Sequence, residues 1–387
     1  MTIASSPGRL SPAAFRREFP IAERQPPLVY LNHAGVSPLS RPVLRAVEGH
    51  LRDVAENGGL HFSRWLADVE AARGLAARLV GADPDEIAFV PNTTEGMSIA
   101  AFGLPFEPGD NVVVARCGYP AAVLPFRALA ARGVALRFVD DPGGRIFPDA
   151  VLALCDERTR AVALSLVEYT TGFRLDAETL GPRLAERGVR FVIDAIQGLG
   201  LTPLDARAAS IDVLACGGFK WLLGPMGTGF VYVRRERLEE LRLHSIGAGS
   251  VARPFDYLDL QQPLSKAARR FEGGTPNFAG IAGLGAALEL LVNGIGIEAA
   301  RARVFALLDR AAAEIRRRGY EVKSPLGSPS ERSGILAFAH PEIASPEIER
   351  RAAARGVHLV TRRGALRIAP HAWNDESDVD ALLAAIP

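Results

Sequence analysis

The 387-residue chain sets 45 Lys and Arg against 44 Asp and Glu, for a formal net charge of +1, with 48% hydrophobic residues. That balance leaves no basic face for a nucleic acid or a membrane surface. Three cysteines without a CxxC and seven histidines without HxH or HxxxH spacing argue against a disulfide framework and a metal site.

The opening MTIASSPGRLSPAAFRREFP has no apolar leader, and no uninterrupted apolar run of about 18 residues occurs, so no membrane span and a cytoplasmic location are expected. The length predicts two domains. Residues 1–29 are too short for one and are expected to pack on the others. Beyond them, EIAFVP (86–91), NVVVA (111–115), ALRFVD (135–140), AVALSLV (161–167), RFVIDA (190–195), DVLACG (212–217) and GFVYV (229–233) read as strands. Helical patterns such as AAVLPFRALAARG (121–133) and LGPRLAERG (180–188) fall between them. This alternation predicts an α/β fold whose large domain, residues 30–290, holds a mostly parallel seven-stranded sheet covered on both faces. Ligands are then sought at the loops following the strands. A long helix (297–319), GILAFA (334–339), VHLVTRRGALRIAP (357–370) and a terminal helix predict a smaller α+β domain over residues 291–387.

Three of those loops carry chemistry. VPNTTEGMSIAAFG (90–103) places Thr93 and Thr94 at a helix N-terminus, which suits a phosphate or simply caps the helix. RFVIDAIQGLG (190–200) ends an apolar strand on Asp194, with Gln197 three residues on; a carboxylate there must be partnered or must cap the turn. DVLACGGFKWLLGPMGTGFVYV (212–233) sets Lys220 in a glycine-rich loop. Only Lys220, Lys266 and Lys323 are lysines among the 45 basic residues, and the last two lie in polar contexts. An arginine keeps its proton, whereas a desolvated lysine can lose it and form a Schiff base. A phosphate site, a carboxylate for a protonated ring nitrogen and an amine for an aldehyde together match pyridoxal 5′-phosphate (PLP).

With these motifs in this order, from YLNHAGVSPLSRPV (30–43) to LRIAPHAWNDESDVDAL (366–382), the chain resembles the class V aminotransferase family of PLP-dependent transferases of fold type I, nearest the cysteine desulfurase and isopenicillin N epimerase-like members. The resemblance implies that Lys220 holds the cofactor, Asp194 faces its ring nitrogen, Gln197 its phenolic oxygen, Thr93 and Thr94 its phosphate, and Tyr119 its ring. It also implies a homodimer in which Thr275 reaches the neighbouring subunit's site. Arg367 would clamp the α-carboxylate of a small amino-acid substrate, and Asn32 and His33 would line the substrate side. Two departures stand out: Phe219 replaces the polar residue often found before the lysine, and Glu168 and Tyr169 stand where desulfurases carry asparagines near the ring oxygen.

A persulfide relay needs a mobile cysteine, expected near residues 323–334, and no cysteine follows Cys216. β-Elimination from a sulfur-containing amino acid needs none and ranks first. Transamination follows, then epimerisation with His33 or Tyr119 as the second proton source, and a PLP-binding protein without turnover is the remote alternative. The stretch 247–270 reads as a lid or a dimer contact, and its Arg253, Lys266, Arg269 and Arg270 suit an acidic substrate or a solvated surface.

Overall fold

The structure is a computed structural model describing residues 9–387, so residues 1–8 of the expected N-terminal segment lie outside the described residues. Strand β1 (Val29–Tyr30) precedes two helices, Arg41–Asn57 and Phe62–Val80. The main sheet then builds from β2 (Ile87–Val90), β3 (Asn111–Ala115), β4 (Ala135–Val139), β5 (Thr159–Ser165), β6 (Arg190–Asp194), β7 (Val213–Gly217) and β8 (Gly229–Val233). Its order is β2-β8-β7-β6-β5-β3-β4. The pairings from β4 across to β7 are parallel, and β8 alone runs against its neighbours β2 and β7. This is the mostly parallel seven-stranded sheet expected from the apolar runs.

Helices cover both faces, which is why β2, β3, β7 and β8 are buried along their whole length and read as unbroken apolar runs. β4 closes one edge and is partly exposed. The helix Phe278–Glu289, continued as a π-helical turn over Leu290–Ile295, packs on the helices Arg41–Asn57 and Phe62–Val80. Interrupted by Glu289 and Asn293, it is still long and apolar enough to cross a membrane by composition, and half of it is buried within the fold. An element apolar on all sides is what a core helix needs.

The C-terminal part carries β9 (Glu321–Val322), β10 (Leu336–Ala339), β11 (Val357–His358), β12 (Val360–Arg362) and β13 (Ala365–Ile368). Four of them form an antiparallel sheet in the order β12-β13-β10-β9. The fifth, β11, pairs in parallel with β1. The N-terminal segment is thereby drawn onto the C-terminal part. Phe15 stacks on His371 and Phe19 on Trp373, while Arg16 donates to the Trp373 carbonyl at 2.9 Å and to Asp378 at 2.7 Å. The segment also touches the remainder of the chain: Leu10 N–H donates to Gly294 O at 2.9 Å and Arg41 N–H to Glu18 O at 2.7 Å. Each aromatic ring so buried contributes on the order of 1.5–3 kcal/mol through lost water contact.

Candidate active site

Lys220 follows β7 through Gly217, Gly218 and Phe219, and the close approach of β7 to β8 requires the small residues. A Cβ on Gly229 would sit 2.4 Å from the Cys216 carbonyl oxygen. The loop is then pinned from the other side. Ser37 donates its hydroxyl to Lys220 O at 2.6 Å and its amide to Phe219 O at 2.8 Å. The lysine is 6% exposed, and its Nζ lies 5.4 Å from the Tyr119 ring centre and 5.7 Å from that of Phe219. Among the described residues it forms no ion pair, unlike Lys323, which pairs with Glu321. Burial between two rings, aided by Arg367 and Arg362 and opposed by Asp194, pulls its amine down to about 8.

The amine opens into a cavity of about 580 Å³ that also receives Asp194, Gln197, Asn92, Thr93, Thr94, Tyr119, Asn32 and Arg367. Asp194 terminates β6 and is buried, accepting the Ile196 amide at 3.0 Å. Burial raises its carboxyl to about 6, with the Ile196 amide and Lys220 pulling the other way. Asn92 caps the helix Thr93–Gly103 by accepting the Glu95 amide at 3.0 Å. The amides of Thr93 and Thr94, ahead of the first intrahelical acceptor, remain available to an anion. The Thr93 hydroxyl accepts the Gly217 amide at 3.0 Å, locking the phosphate-type loop to the lysine loop. Gln197 donates to Ala34 O at 2.9 Å and accepts from Trp221 Nε1 at 3.1 Å, which leaves one amide hydrogen free.

Arg367, on β13, is 2% exposed without an acidic partner. It donates to the Tyr169 carbonyl at 2.6 Å and to Asn32 Oδ1 at 3.2 Å, and its Nε has no partner. A guanidinium so buried needs an anion. Among the described residues the cavity therefore holds an amine and a carboxylate in no ion pair, an anion-ready helix N-terminus and an arginine lacking its acid. These are the groups that PLP and an amino-acid carboxylate would satisfy.

Two expected residues lie elsewhere. His33 is fully buried, its Nδ1 on the Ala369 carbonyl at 2.8 Å and its Nε2 accepting from Trp373 at 2.8 Å. Desolvation holds it well below the usual imidazole range. Both nitrogens are thus engaged in packing, and His33 does not line the cavity. Thr275 lines an adjoining cleft with Glu95, Thr228 and Ser245. Glu168 also differs from expectation: it turns back to take the amides of Thr170 and Thr171, both at 2.8 Å, and caps its own turn. Only Tyr169 reaches the cavity, edge-on to Tyr119 with ring centres 5.4 Å apart. Sequence reasoning missed Asn92, Trp221, Tyr30, His358 and Arg362. Asn92 carries a visible signal, a capping residue ahead of a helix.

No cysteine lines the cavity. Cys117 and Cys216 are buried and Cys155 is half-buried, and burial raises all three thiols. Half of the positive charge at 247–270 is committed: Arg253 pairs with Asp256 and Asp259, and Arg269 lies near Glu70 and Asp85.

A family model described as aminotransferase class-V matches residues 29–379. A probable cysteine desulfurase of Methanothermobacter thermautotrophicus is 32% identical over 328 residues, covering 84% of this chain and 80% of that protein. Among solved structures, a cysteine desulfurase of Escherichia coli superposes with a TM-score of 0.86 at 26% identity, covering 98% of both chains. The apo form of one from Thermococcus onnurineus gives 0.87 at 23% identity, covering 97% of both, a likeness of fold.

Proposed function

Since the chain belongs to the class V aminotransferase family, we propose that this PLP-dependent enzyme of fold type I releases sulfur from a small sulfur-containing amino acid by β-elimination, without a cysteine of its own to carry the sulfur away. The observation that carries the reading is one cavity joining Lys220, Asp194 and Arg367 with no thiol on its walls.

When bound, PLP supplies an aldehyde for an amine and a protonated ring that takes up the electron pair left at Cα. The chain's residues do the rest. Asp194 would answer the ring nitrogen, Gln197 would give its one free hydrogen to the phenolic oxygen, and the Thr93–Thr94 turn would hold the phosphate. Arg367, oriented by Asn32 and the Tyr169 carbonyl, takes the substrate α-carboxylate. Lys220, whose amine is brought down to about 8 so that its unprotonated form is within reach near neutrality, accepts the Cα proton and holds it on Nζ while the sulfur departs. Phe219 and Tyr119 keep that amine out of water. His33, sealed in its aromatic cluster, cannot serve as a second proton donor at Cα, which leaves Tyr119 as the one candidate for epimerisation.

The enzyme acts as a homodimer on this reading. Thr275 borders a different cleft from Lys220, which suits a residue that serves a second copy's site. Its loop is held rigidly, because buried Arg73 donates to Glu272 Oε1 at 2.6 Å and that oxygen accepts the Phe89 amide at 2.6 Å.

The test is incubation of the yellow holoenzyme with S-substituted cysteines and cystine, assaying pyruvate and released sulfur together. Equal yields of both are expected, with Lys220→Arg lowering turnover by roughly a thousandfold or more, since an arginine cannot take its place as base or nucleophile. Bleaching that only a keto acid reverses, without pyruvate, would sink elimination in favour of transamination.

A further inference from the structure

Strands β12 and β13 form a hairpin closed by only two residues, Arg363 (φ 45°) and Gly364 (φ 80°). Two left-handed residues in succession make the tight turn whose twist matches the strands it joins. The register pairs Val360 with Arg367 and Arg362 with Ala365. Arg362 and Arg367 are therefore diagonal neighbours on one face, with Cα atoms about 7–8 Å apart for such a pair. Both side chains line the Lys220 cavity.

Two arginines on one face of a hairpin repel unless an acid lies between them, and here none does. Asp194 is the only acidic residue on the cavity wall. Arg362 is exposed, forms no ion pair among the described residues, and makes one hydrogen bond, to the carbonyl of its neighbour Thr361 at 2.9 Å. Burial chiefly holds Arg367 and Lys220 below their ordinary values, and the charge of Arg362 adds to it at both. Once Arg367 takes the α-carboxylate, a second free guanidinium still faces the bound molecule from the next position along the strand.

We propose that Arg362 is a specificity residue that reads an anionic group at the far end of the substrate side chain, so that the preferred ligand is an amino acid ending in a carboxylate, sulfinate or sulfonate. The inference rests on the reading of the cavity as an amino-acid site with Arg367 as its carboxylate clamp. It relocates the acid preference from the 247–270 stretch, where Arg253 and Arg269 already lie beside carboxylates, to a residue that lines the site.

The experiment compares neutral and anionic isosteres that do not eliminate. Binding of aspartate against asparagine, and of glutamate against glutamine, is measured calorimetrically on the holoenzyme while the visible band of the bound cofactor is recorded. In at least one pair the acid is expected to bind about tenfold more tightly than the amide, as a charge-assisted contact provides. Arg362→Gln should abolish that ratio, and Arg362→Lys should keep part of it. Equal affinities in the parent, or a preference that survives Arg362→Gln, would leave Arg362 a solvated rim residue and overturn the assignment alone. A purified protein with no cofactor band, even after added PLP, would overturn the proposed function and this inference together.

Discussion

Asp194 shows how a functional residue works against the fold that holds it. Burial raises its carboxyl from 3.8 to about 6, so between those values the folded chain keeps a proton that the unfolded chain releases. Stability from this group therefore falls as pH rises through that window, and the full cost is present above pH 6. Asp194→Asn keeps an oxygen for the Ile196 amide and removes the charge. The apoprotein variant should be more stable than the parent at pH 7.5 by on the order of 1–2 kcal/mol, with the gain vanishing near pH 4, while retention of PLP weakens. Urea melts at the two pH values, paired with the cofactor band, measure this. A variant destabilised at pH 7.5 would mean that the carboxylate is there to cap its turn. Lys220 is under the same tension, its amine held at about 8 by burial, which fits a group kept for reaction over stability.

The secondary elements were legible because their periods are unambiguous. Seven apolar runs became seven strands, each within two residues of its expected ends, since a strand covered on both faces leaves no polar alternation to misread. Eight of the ten expected site residues meet at one cavity for a related reason: in a parallel sheet, loops after successive strands converge on one edge. The failures fall on side chains whose direction depends on distant partners. Nothing near His33 announces Trp373, and nothing near Glu168 shows that it will turn onto its own next two amides. Arg362 was within reach, because Arg-Gly between apolar runs reads as a two-residue hairpin whose register sets Arg362 diagonal to Arg367. That turn holds Arg363 at a φ of 45°, which disfavours a long side chain and suits asparagine. Arg363→Asn should therefore stabilise the protein by about 0.5–1 kcal/mol, read as a rise in the urea midpoint. No change or a fall would show that the arginine side chain repays the strain through its contacts.

At the scale of the molecule, the surface carries more apolar area than a solitary chain needs. Leu258 is 97% exposed and Leu260 87%, with Tyr257, Phe255 and Ile246 nearby in sequence and also exposed. Exposed apolar residues of this kind suit a protein contact, and the homodimer proposed above would cover them with a second copy. The double variant Leu258→Glu, Leu260→Glu should sediment as a monomer where the parent sediments as a dimer, and should lose turnover with it if Thr275 serves the neighbouring site. A parent that is monomeric at micromolar concentration would remove the shared site from the proposal. The pairing of β1 with β11 has a different kind of consequence. Arg16 and the Trp373 carbonyl it binds are 357 positions apart, so Phe15 and Phe19 lack His371 and Trp373, the rings they stack on, until the last part of the chain has left the ribosome. At synthesis rates of about 5–20 residues per second, that wait lasts on the order of tens of seconds. For that time the nascent chain carries exposed aromatic residues near its start, a target for chaperones, and the order of synthesis is the reverse of the order in which this seam can close.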